Sequence, residues 1–524
     1  MNITLVQIDL VLGSRILLQL LKEKGYNAKS LQINIKYTDS LTPEELEIIW
    51  NYVADSDVVG FSFDTFYAPI VEKLALFLRQ KGVNYIITGG NHATALPNEA
   101  IKYSDVVVKY EAEKTLLKVL EGLNDPKKLS EIAGIVYKNN GDVFDSPYPP
   151  EIVWELDTLP FQCVDTQYIK FFDKTNGLYT PQKSDLFRHA KDSYFILTTR
   201  GCPFSCTFCS NSLYHSLDKR FRKVRKRSIP NIIEEMEYAL ANGYNSFEIV
   251  DDHFFSFNLE EIDHFKQMYI RKIKKPFSVV GVNPNNFRAS LSEKKLTLLL
   301  DCGLTDIRVG VQSGSNKTLE IFKRGYKAEE IPRLLEPLDR NRKTIWDSPY
   351  EKLHVSLDFI CDAIWETEVD KLATIELALK VLKQYSIFFY TLVYLPGTEI
   401  YYQALKNKWI VSNVQDIYLR GIAGVDDNVY NRILFLIAII KERAISPSEK
   451  LINHILEVSK SDHELAKEII NSIIDCISGI EKHHNVNLEH STLHPYLTGF
   501  KEWTKTVGDV GRKVLFRSYH DPYG

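Results

Sequence analysis

Between residues 194 and 395 six short apolar runs alternate with stretches of helical periodicity, and that alternation restricts the fold more than any other feature of the 524-residue chain. The runs fall at residues 194–199, 247–250, 277–282, 307–312, 354–359 and 388–395, and helices are predicted over 229–242, 259–272, 293–301, 316–323 and 369–384. Strands separated by helices join into a parallel sheet through right-handed crossovers. Six such units at this spacing predict a partial (β/α)6 barrel of TIM type over residues 186–405, with chemistry on the loops at the carboxyl ends of its strands.

A second alternation fills residues 1–125. Strands are predicted at 3–8, 28–33, 58–62, 85–88 and 106–108, and helices at 15–24, 44–54, 70–80 and 113–121. The unbroken apolar character of Val58-Val-Gly-Phe-Ser62 suits a strand buried on both faces of a parallel sheet. A doubly wound, Rossmann-like α/β domain is expected, binding its ligand beyond the carboxyl ends of the strands. Residues 126–185 read as a small hairpin about Asn139-Asn140-Gly141, then an extended connector punctuated by Pro147, Pro149, Pro150, Pro160 and Pro181. From 406 to 524 the strand signal fades, and helices are predicted at 431–443, 450–460 and 465–480.

The first barrel strand leads directly into Cys202-Pro203-Phe204-Ser205-Cys206-Thr207-Phe208-Cys209. Only seven cysteines occur in the chain, so three in eight residues need a chemical reason. A C-x3-C-x2-C loop can wrap three thiolates round one iron–sulfur cube and leave its fourth iron open to a small molecule. Structural zinc needs four ligands; His215 is the one nearby candidate, and no second CxxC exists. Three buried free thiols fit poorly with the loop-forming Gly201, Pro203 and Ser205. Cys163, Cys302, Cys361 and Cys476 are scattered and read as small buried side chains.

Composition narrows the setting. An odd cysteine count without regular pairing argues for a reducing compartment. The start Met1-Asn-Ile-Thr-Leu-Val-Gln-Ile8 lacks the basic region and apolar core of a signal peptide, so a cytoplasmic location is expected. The longest apolar run, 433–440, is far short of the roughly 20 residues that cross a bilayer and reads as a buried helix. A net charge of −4 gives no bias towards nucleic acid. The basic run Lys219–Arg227, with Phe221 inside it, reads as a charged face or a contact to an acidic ligand ahead of a nucleic-acid patch.

C-x3-C-x-Φ-C on the first loop of a partial barrel resembles the radical S-adenosylmethionine (radical SAM) superfamily. The resemblance implies that Cys202, Cys206 and Cys209 hold a 4Fe–4S cluster. It further implies that SAM chelates the open iron and is split on reduction to a 5′-deoxyadenosyl radical. Glu248-Ile-Val-Asp251-Asp252 resembles the acidic segment that contacts the SAM amino group, and Gly310-Val-Gln-Ser-Gly-Ser315 the G-x-Q/E-S-G-S segment near its ribose and methionine. Arg324-Gly325 resembles a basic position that meets the SAM carboxylate, and Leu395-Pro-Gly-Thr398 a segment lying against adenine. Asp251, Asp252, Gln312, Ser313, Arg324, Phe208 and Leu395 are therefore the expected SAM contacts.

The N-terminal domain carries a second resemblance. Asp57-Val-Val-Gly-Phe-Ser62, Gly89-Gly-Asn-His-Ala-Thr94, Leu96-Pro97 and Tyr110-Glu-Ala-Glu113 resemble the cobalamin-binding domain fused to one radical SAM subclass, as does the domain order. Leu357-Asp-Phe-Ile360 with Trp365-Glu-Thr367 resembles a barrel segment of that subclass. Ser62, Gly89, Gly90 and His92 are the implied cobalamin contacts. One departure stands out: where some cobalamin proteins carry D-x-H-x-x-G, this chain reads Asp9-Leu-Val-Leu-Gly13, with no histidine and one residue fewer.

Together these resemblances imply a cobalamin-dependent radical SAM enzyme that methylates an unactivated carbon of a small molecule, served by an external electron donor such as flavodoxin or ferredoxin. Cyclisation, ring rearrangement or oxidation would use the same motifs. An iron–sulfur electron carrier or redox sensor is the alternative outside enzymes, and it would have no use for the segments at 251–252 and 310–315. A nucleic-acid-modifying enzyme on the same barrel is suggested by the basic run alone.

Overall fold

A computed structural model describes residues 1–9, 11–187, 193–341, 353–381, 385–411, 417–418, 425–442 and 449–479. The N-terminal part is built on a nine-stranded sheet of β1 (Asn2–Ile8), β2 (Asn27–Asn34), β3 (Val58–Ser62), β4 (Tyr85–Gly89), β5 (Val106–Val108), β6 (Ile135–Asn139), β7 (Asp142–Asp145), β8 (Ile169–Asp173) and β9 (Gly177–Tyr179). Their order is β7-β6-β5-β4-β3-β1-β2-β8-β9. The chain steps from β1 to β2 on one side and then returns to place β3 on the other. That reversal opens a crevice at the carboxyl ends of β1 and β3, where doubly wound sheets bind ligands.

Residues 126–185 do more than connect. The β6–β7 hairpin turns at Asn140 (φ 51°) and Gly141 (φ 90°), as the Asn-Gly signal predicts. It extends one edge of the sheet antiparallel to β5, while β8 adds to the other edge parallel to β2. The expected connector thus contributes strands to both edges of the first sheet. Strands of three to five residues are too short for their periodicity to stand out among prolines.

The second sheet contains β10 (Ser193–Ile196), β13 (Ser246–Ile249), β14 (Phe277–Val282), β15 (Leu304–Gln312), β16 (His354–Cys361) and β17 (Ser386–Thr391), all parallel and in strict chain order. Between β10 and β13, a separate two-stranded ribbon pairs β11 (Thr199–Arg200) with β12 (Arg225–Lys226). Helices predicted between the barrel strands are present, and the one at Leu259–Lys272 starts with a capping box between Asn258 and Glu261. The helix at 316 ends early, at Ile321, and a further helix runs from Ile331 to Asn341 despite Pro332 and Pro337. The sixth strand stops at Thr391 instead of 395. Leu392, Val393 and Tyr394 are apolar for another reason: they join the core of the first domain.

That core runs without a break from Val6, Ile8 and Phe61 of the first sheet to Phe322, Leu392 and Ile400 of the barrel. The C-terminal helices Val429–Glu442, Glu449–Ser461 and His463–Gly479 bury Ile433, Leu436, Ile437, Ile455 and Ile470. The apolar run at 433–440 is therefore a packed helix, and no helix among the described residues is long and apolar enough to cross a membrane. Cys163, Cys302 and Cys361 are buried as expected. The Cys476 side chain and residues 480–524 lie outside those described.

Candidate active site

The cysteine loop leaves the barrel between β11 and the helix Ser210–Leu217. Gly201 opens it at φ 90°, where a Cβ would come within 2.7 Å of the Lys223 carbonyl and 2.8 Å of the Phe221 carbonyl. Only glycine fits that approach. Thr207 donates its backbone N–H to Phe322 O (3.3 Å) and its hydroxyl to Ile321 O (2.9 Å), pinning the loop to the segment after β15. Cys209 caps the helix Ser210–Leu217, so the positive helix end stabilises a thiolate there.

Asp251 and Asp252, at the end of β13, hold this loop in place. Asp251 is 5% exposed and accepts the backbone N–H groups of Thr198 (2.5 Å) and Thr199 (3.0 Å), along with the Thr198 hydroxyl. Asp252 accepts the Gly201 N–H at 2.8 Å and the Asn211 amide at 2.9 Å, bracing the loop on both sides of the cysteines. Burial pushes the Asp251 carboxyl up to about 6, against the hydrogen bonds from Thr198 and Thr199. Both Asp251 oxygens are thus engaged by the β10–β11 junction.

The three sulfurs are half-buried and unpaired by disulfides. Burial pushes the Cys209 thiol up to about 11, with Cys206 beside it adding to the rise, and burial raises the Cys202 thiol further. Three neighbouring thiolates therefore need a cationic group among them, as a metal cluster provides. Among the described residues, no three His, Cys, Asp or Glu side chains converge tightly enough for a single metal ion. A four-iron cube seats each thiolate on its own iron and needs only three protein thiolates when one iron is left open.

Arg324 follows the helix Asn316–Ile321 in a turn shaped by Lys323 (φ 53°) and Gly325 (φ 70°). Its Nη1 donates to Cys206 Sγ at 2.8 Å, Nη2 to Gly310 O at 2.6 Å and Nε to Tyr326 Oη at 3.1 Å. Phe208 lies edge-on to Phe322 at 4.8 Å, with the Arg324 guanidinium 6.0 Å from its ring centre. Gln312 adopts φ 78° where the β15–β16 register slips, and it stays partly exposed. Ser313 is fully buried: its hydroxyl meets Thr374 at 3.2 Å and accepts the Ser315 N–H at 3.0 Å. That serine docks β15 on the helix Glu368–Val381. Leu395 is half-buried in the turn beyond β17 and packs against the first domain's core.

At the carboxyl edge of the first sheet, Gly90 (φ 92°) lies so close to its neighbours that a Cβ would be 3.0 Å from Phe63 O and 3.2 Å from Ser62 Oγ. Gly89 precedes it at the end of β4. His92 follows Gly90 in the helix Asn91–Ala95. It is 1% exposed between Phe63 (5.3 Å) and Tyr418 (6.2 Å), and burial pushes its imidazole down to about 4, so it is a neutral core residue. Asp9 follows β1 at φ 61° and accepts the Tyr67 hydroxyl at 3.2 Å. Leu10 lies outside the described residues.

Several contacts here are invisible to sequence reasoning. Tyr214 of the cysteine helix donates to Asn91 Oδ1 (2.7 Å), and Asn91 donates to the half-buried Asp64 (2.8 Å). Arg200, two residues before Cys202, pairs with Glu113 at 2.6 Å and Glu111 at 3.6 Å, while Arg225 pairs with Glu111 at 2.7 Å. The basic run is largely spent in this way: Arg220 pairs with Asp218, Lys226 with Glu261 and Arg227 with Glu235. Inside the barrel, Arg308 grips both oxygens of Asp358 at 2.8 and 2.9 Å and also donates to Tyr390. Glu248 faces the same interior, and burial pushes its carboxyl up to about 7, with Asp306 adding to the rise.

Comparison with known proteins agrees with this geometry. Residues 196–346 match the model of the radical SAM superfamily. The chain is 26% identical over 368 residues to an uncharacterized methyltransferase of Pyrococcus horikoshii, covering 68% of this chain and 71% of the relative. It is 23% identical over 463 residues to the bacteriochlorophyllide d C-8(2)-methyltransferase of Chlorobaculum tepidum, covering 83% and 88%. Its fold matches that of the cobalamin-dependent S-adenosylmethionine radical enzyme OxsB with a TM-score of 0.57 at 16% identity, covering 96% of this chain and 71% of that one. Residues 196–346 are thus a radical SAM domain, and the protein is a radical SAM enzyme.

Proposed function

We propose that the protein is a cobalamin-dependent radical SAM methyltransferase acting on an unactivated carbon of a small molecule. One observation carries the reading: the helix that follows the cysteines is fastened to the carboxyl edge of the first sheet through Tyr214 and Asn91. The edge expected to bind cobalamin and the loop expected to bind the cluster therefore face a common region. Support comes from the two methyltransferases that resemble the chain over most of their length, and from OxsB, whose fold it shares and which holds aqua-cobalamin and SAM.

When bound, the cluster supplies the electron that splits SAM and cobalamin supplies the methyl group. Cys202, Cys206 and Cys209 hold the cluster, and Asp251 and Asp252 fix the loop that carries them. Gln312, Phe208 and Leu395 are the proposed contacts to SAM, and Arg324 is the cation proposed for its carboxylate. Ser62, Gly89 and Gly90 let backbone approach the cobalamin closely. His92 is withdrawn into the core, and the Asp9–Gly13 segment offers no imidazole to the cobalt. The electron donor is an external reductant of the flavodoxin or ferredoxin kind, and the substrate is a small molecule.

The test is the product balance from SAM with anaerobically reconstituted protein. Release of both 5′-deoxyadenosine and S-adenosylhomocysteine supports methyl transfer. 5′-Deoxyadenosine alone indicates cyclisation, rearrangement or oxidation. A reducible cluster that consumes no SAM leaves an electron carrier or redox sensor.

A further inference from the structure

Arg324 is 5% exposed, and among the described residues no carboxylate lies within ion-pair distance of it. A guanidinium buried without a counter-charge is expensive unless a negative group faces it. Two of its partners are neutral oxygens: Gly310 O and the Tyr326 hydroxyl, which itself donates to Val311 O at 2.8 Å. The third is Cys206 Sγ, at 2.8 Å from Nη1. The fork is locked by the end of β15 and aimed at one sulfur of the cysteine loop.

We propose that Arg324 is a positioning residue that raises the reduction potential of the cluster by donating a charge-assisted N–H···S bond to the Cys206 thiolate. The inference rests on the reading that Cys202, Cys206 and Cys209 hold a 4Fe–4S cluster. Reduction adds one electron, delivered by an external reductant, and puts more negative charge on the sulfurs. A fixed cation on one of them stabilises the reduced form more than the oxidised form, because hydrogen bonds to cluster sulfurs and local charge set such potentials. The role is separate from binding the SAM carboxylate, because it acts before SAM arrives. Lysine would keep the charge but lose the fork that spans Cys206 and Gly310.

The experiment is an EPR-monitored redox titration of the reconstituted protein without SAM, comparing wild type, Arg324→Met and Arg324→Lys at equal iron content. Arg324→Met is expected to lower the reduced-to-oxidised ratio at a fixed potential about tenfold, a midpoint about 59 mV more negative for one electron. Arg324→Lys should fall between. Where Arg324→Met fails to load iron, Tyr326→Phe serves instead: it frees Nε while keeping the charge and should move the midpoint the same way by less. An unchanged midpoint overturns the proposal and leaves Arg324 with the role of a SAM ligand alone. Absence of iron from wild-type protein would sink the cluster reading itself, and iron analysis reports that before any titration.

Discussion

Gly397 and Leu213 are packed so closely that a Cβ on the glycine would come within 2.6 Å of Leu213 Cδ1. Leu213 belongs to the helix after the cysteines, and Gly397 to the turn beyond the last barrel strand. Ala95 of the first domain would stand 3.3 Å from the same added atom. Three segments expected to touch three different ligands thus share one contact. Gly397→Ala meets both this clash and a backbone φ of 81°. Left-handed strain costs about 1–2 kcal/mol and overpacking about 1–3 kcal/mol more. Thermal unfolding should show a clearly larger loss than for Gly177→Ala, where φ is 64° and the space is open. Equal losses would mean the junction is loose.

The buried pair Arg200–Glu113 ties the base of the cysteine loop to the first domain. Burial opposes ionisation of Glu113, but the charge and hydrogen bond of Arg200 win and hold its carboxyl below the ordinary range. Its folded pKa is depressed, so its stabilisation is complete above the unfolded value and is lost as pH falls through the folded one. Glu113→Gln should destabilise at neutral pH by about 3–5 kcal/mol, the usual cost of breaking a buried pair. The deficit should shrink as the solution is taken well below pH 4.5. A deficit independent of pH in urea unfolding would contradict the charge argument.

Glu248 makes the opposite prediction. Its folded pKa lies near 7, above the ordinary 4.5, so folding binds a proton and stability falls as pH rises between those values. Glu248→Gln keeps the shape without the charge. The variant should match wild type near pH 4 and exceed it at pH 8 by on the order of 1–3 kcal/mol. A variant that is less stable at pH 8 would show that the ionised carboxylate is held by partners inside the barrel.

Cys206→Ala removes one of the three thiolates and the acceptor of Arg324 Nη1. It should cut bound iron after reconstitution and abolish SAM cleavage, while circular dichroism of the apo-protein stays unchanged. Retained cleavage would show that the cluster is held elsewhere.

The barrel strands were legible because each is an apolar run followed by a helix with its own stop, and the cysteine spacing was legible because it is chemical. Other features depend on tertiary partners. Leu392–Tyr394 read as strand because burial against another domain looks the same in sequence as burial in a sheet. The helix Ile331–Asn341 was hidden by its two prolines. Asp251 and Ser313 were legible as motif residues, but the first binds Thr198 and Thr199 and the second Thr374, partners far away along the chain. The resemblance offers His92 as a cobalamin contact, but its burial between Phe63 and Tyr418 depends on partners the sequence does not show.

The most direct measurement is the product stoichiometry from SAM in protein loaded anaerobically with iron, sulfide and cobalamin, then supplied with reductant. Retained cobalt is expected, with paired formation of 5′-deoxyadenosine and S-adenosylhomocysteine that is lost in Cys206→Ala. No retained cobalt, with 5′-deoxyadenosine as the sole SAM-derived nucleoside, would contradict it.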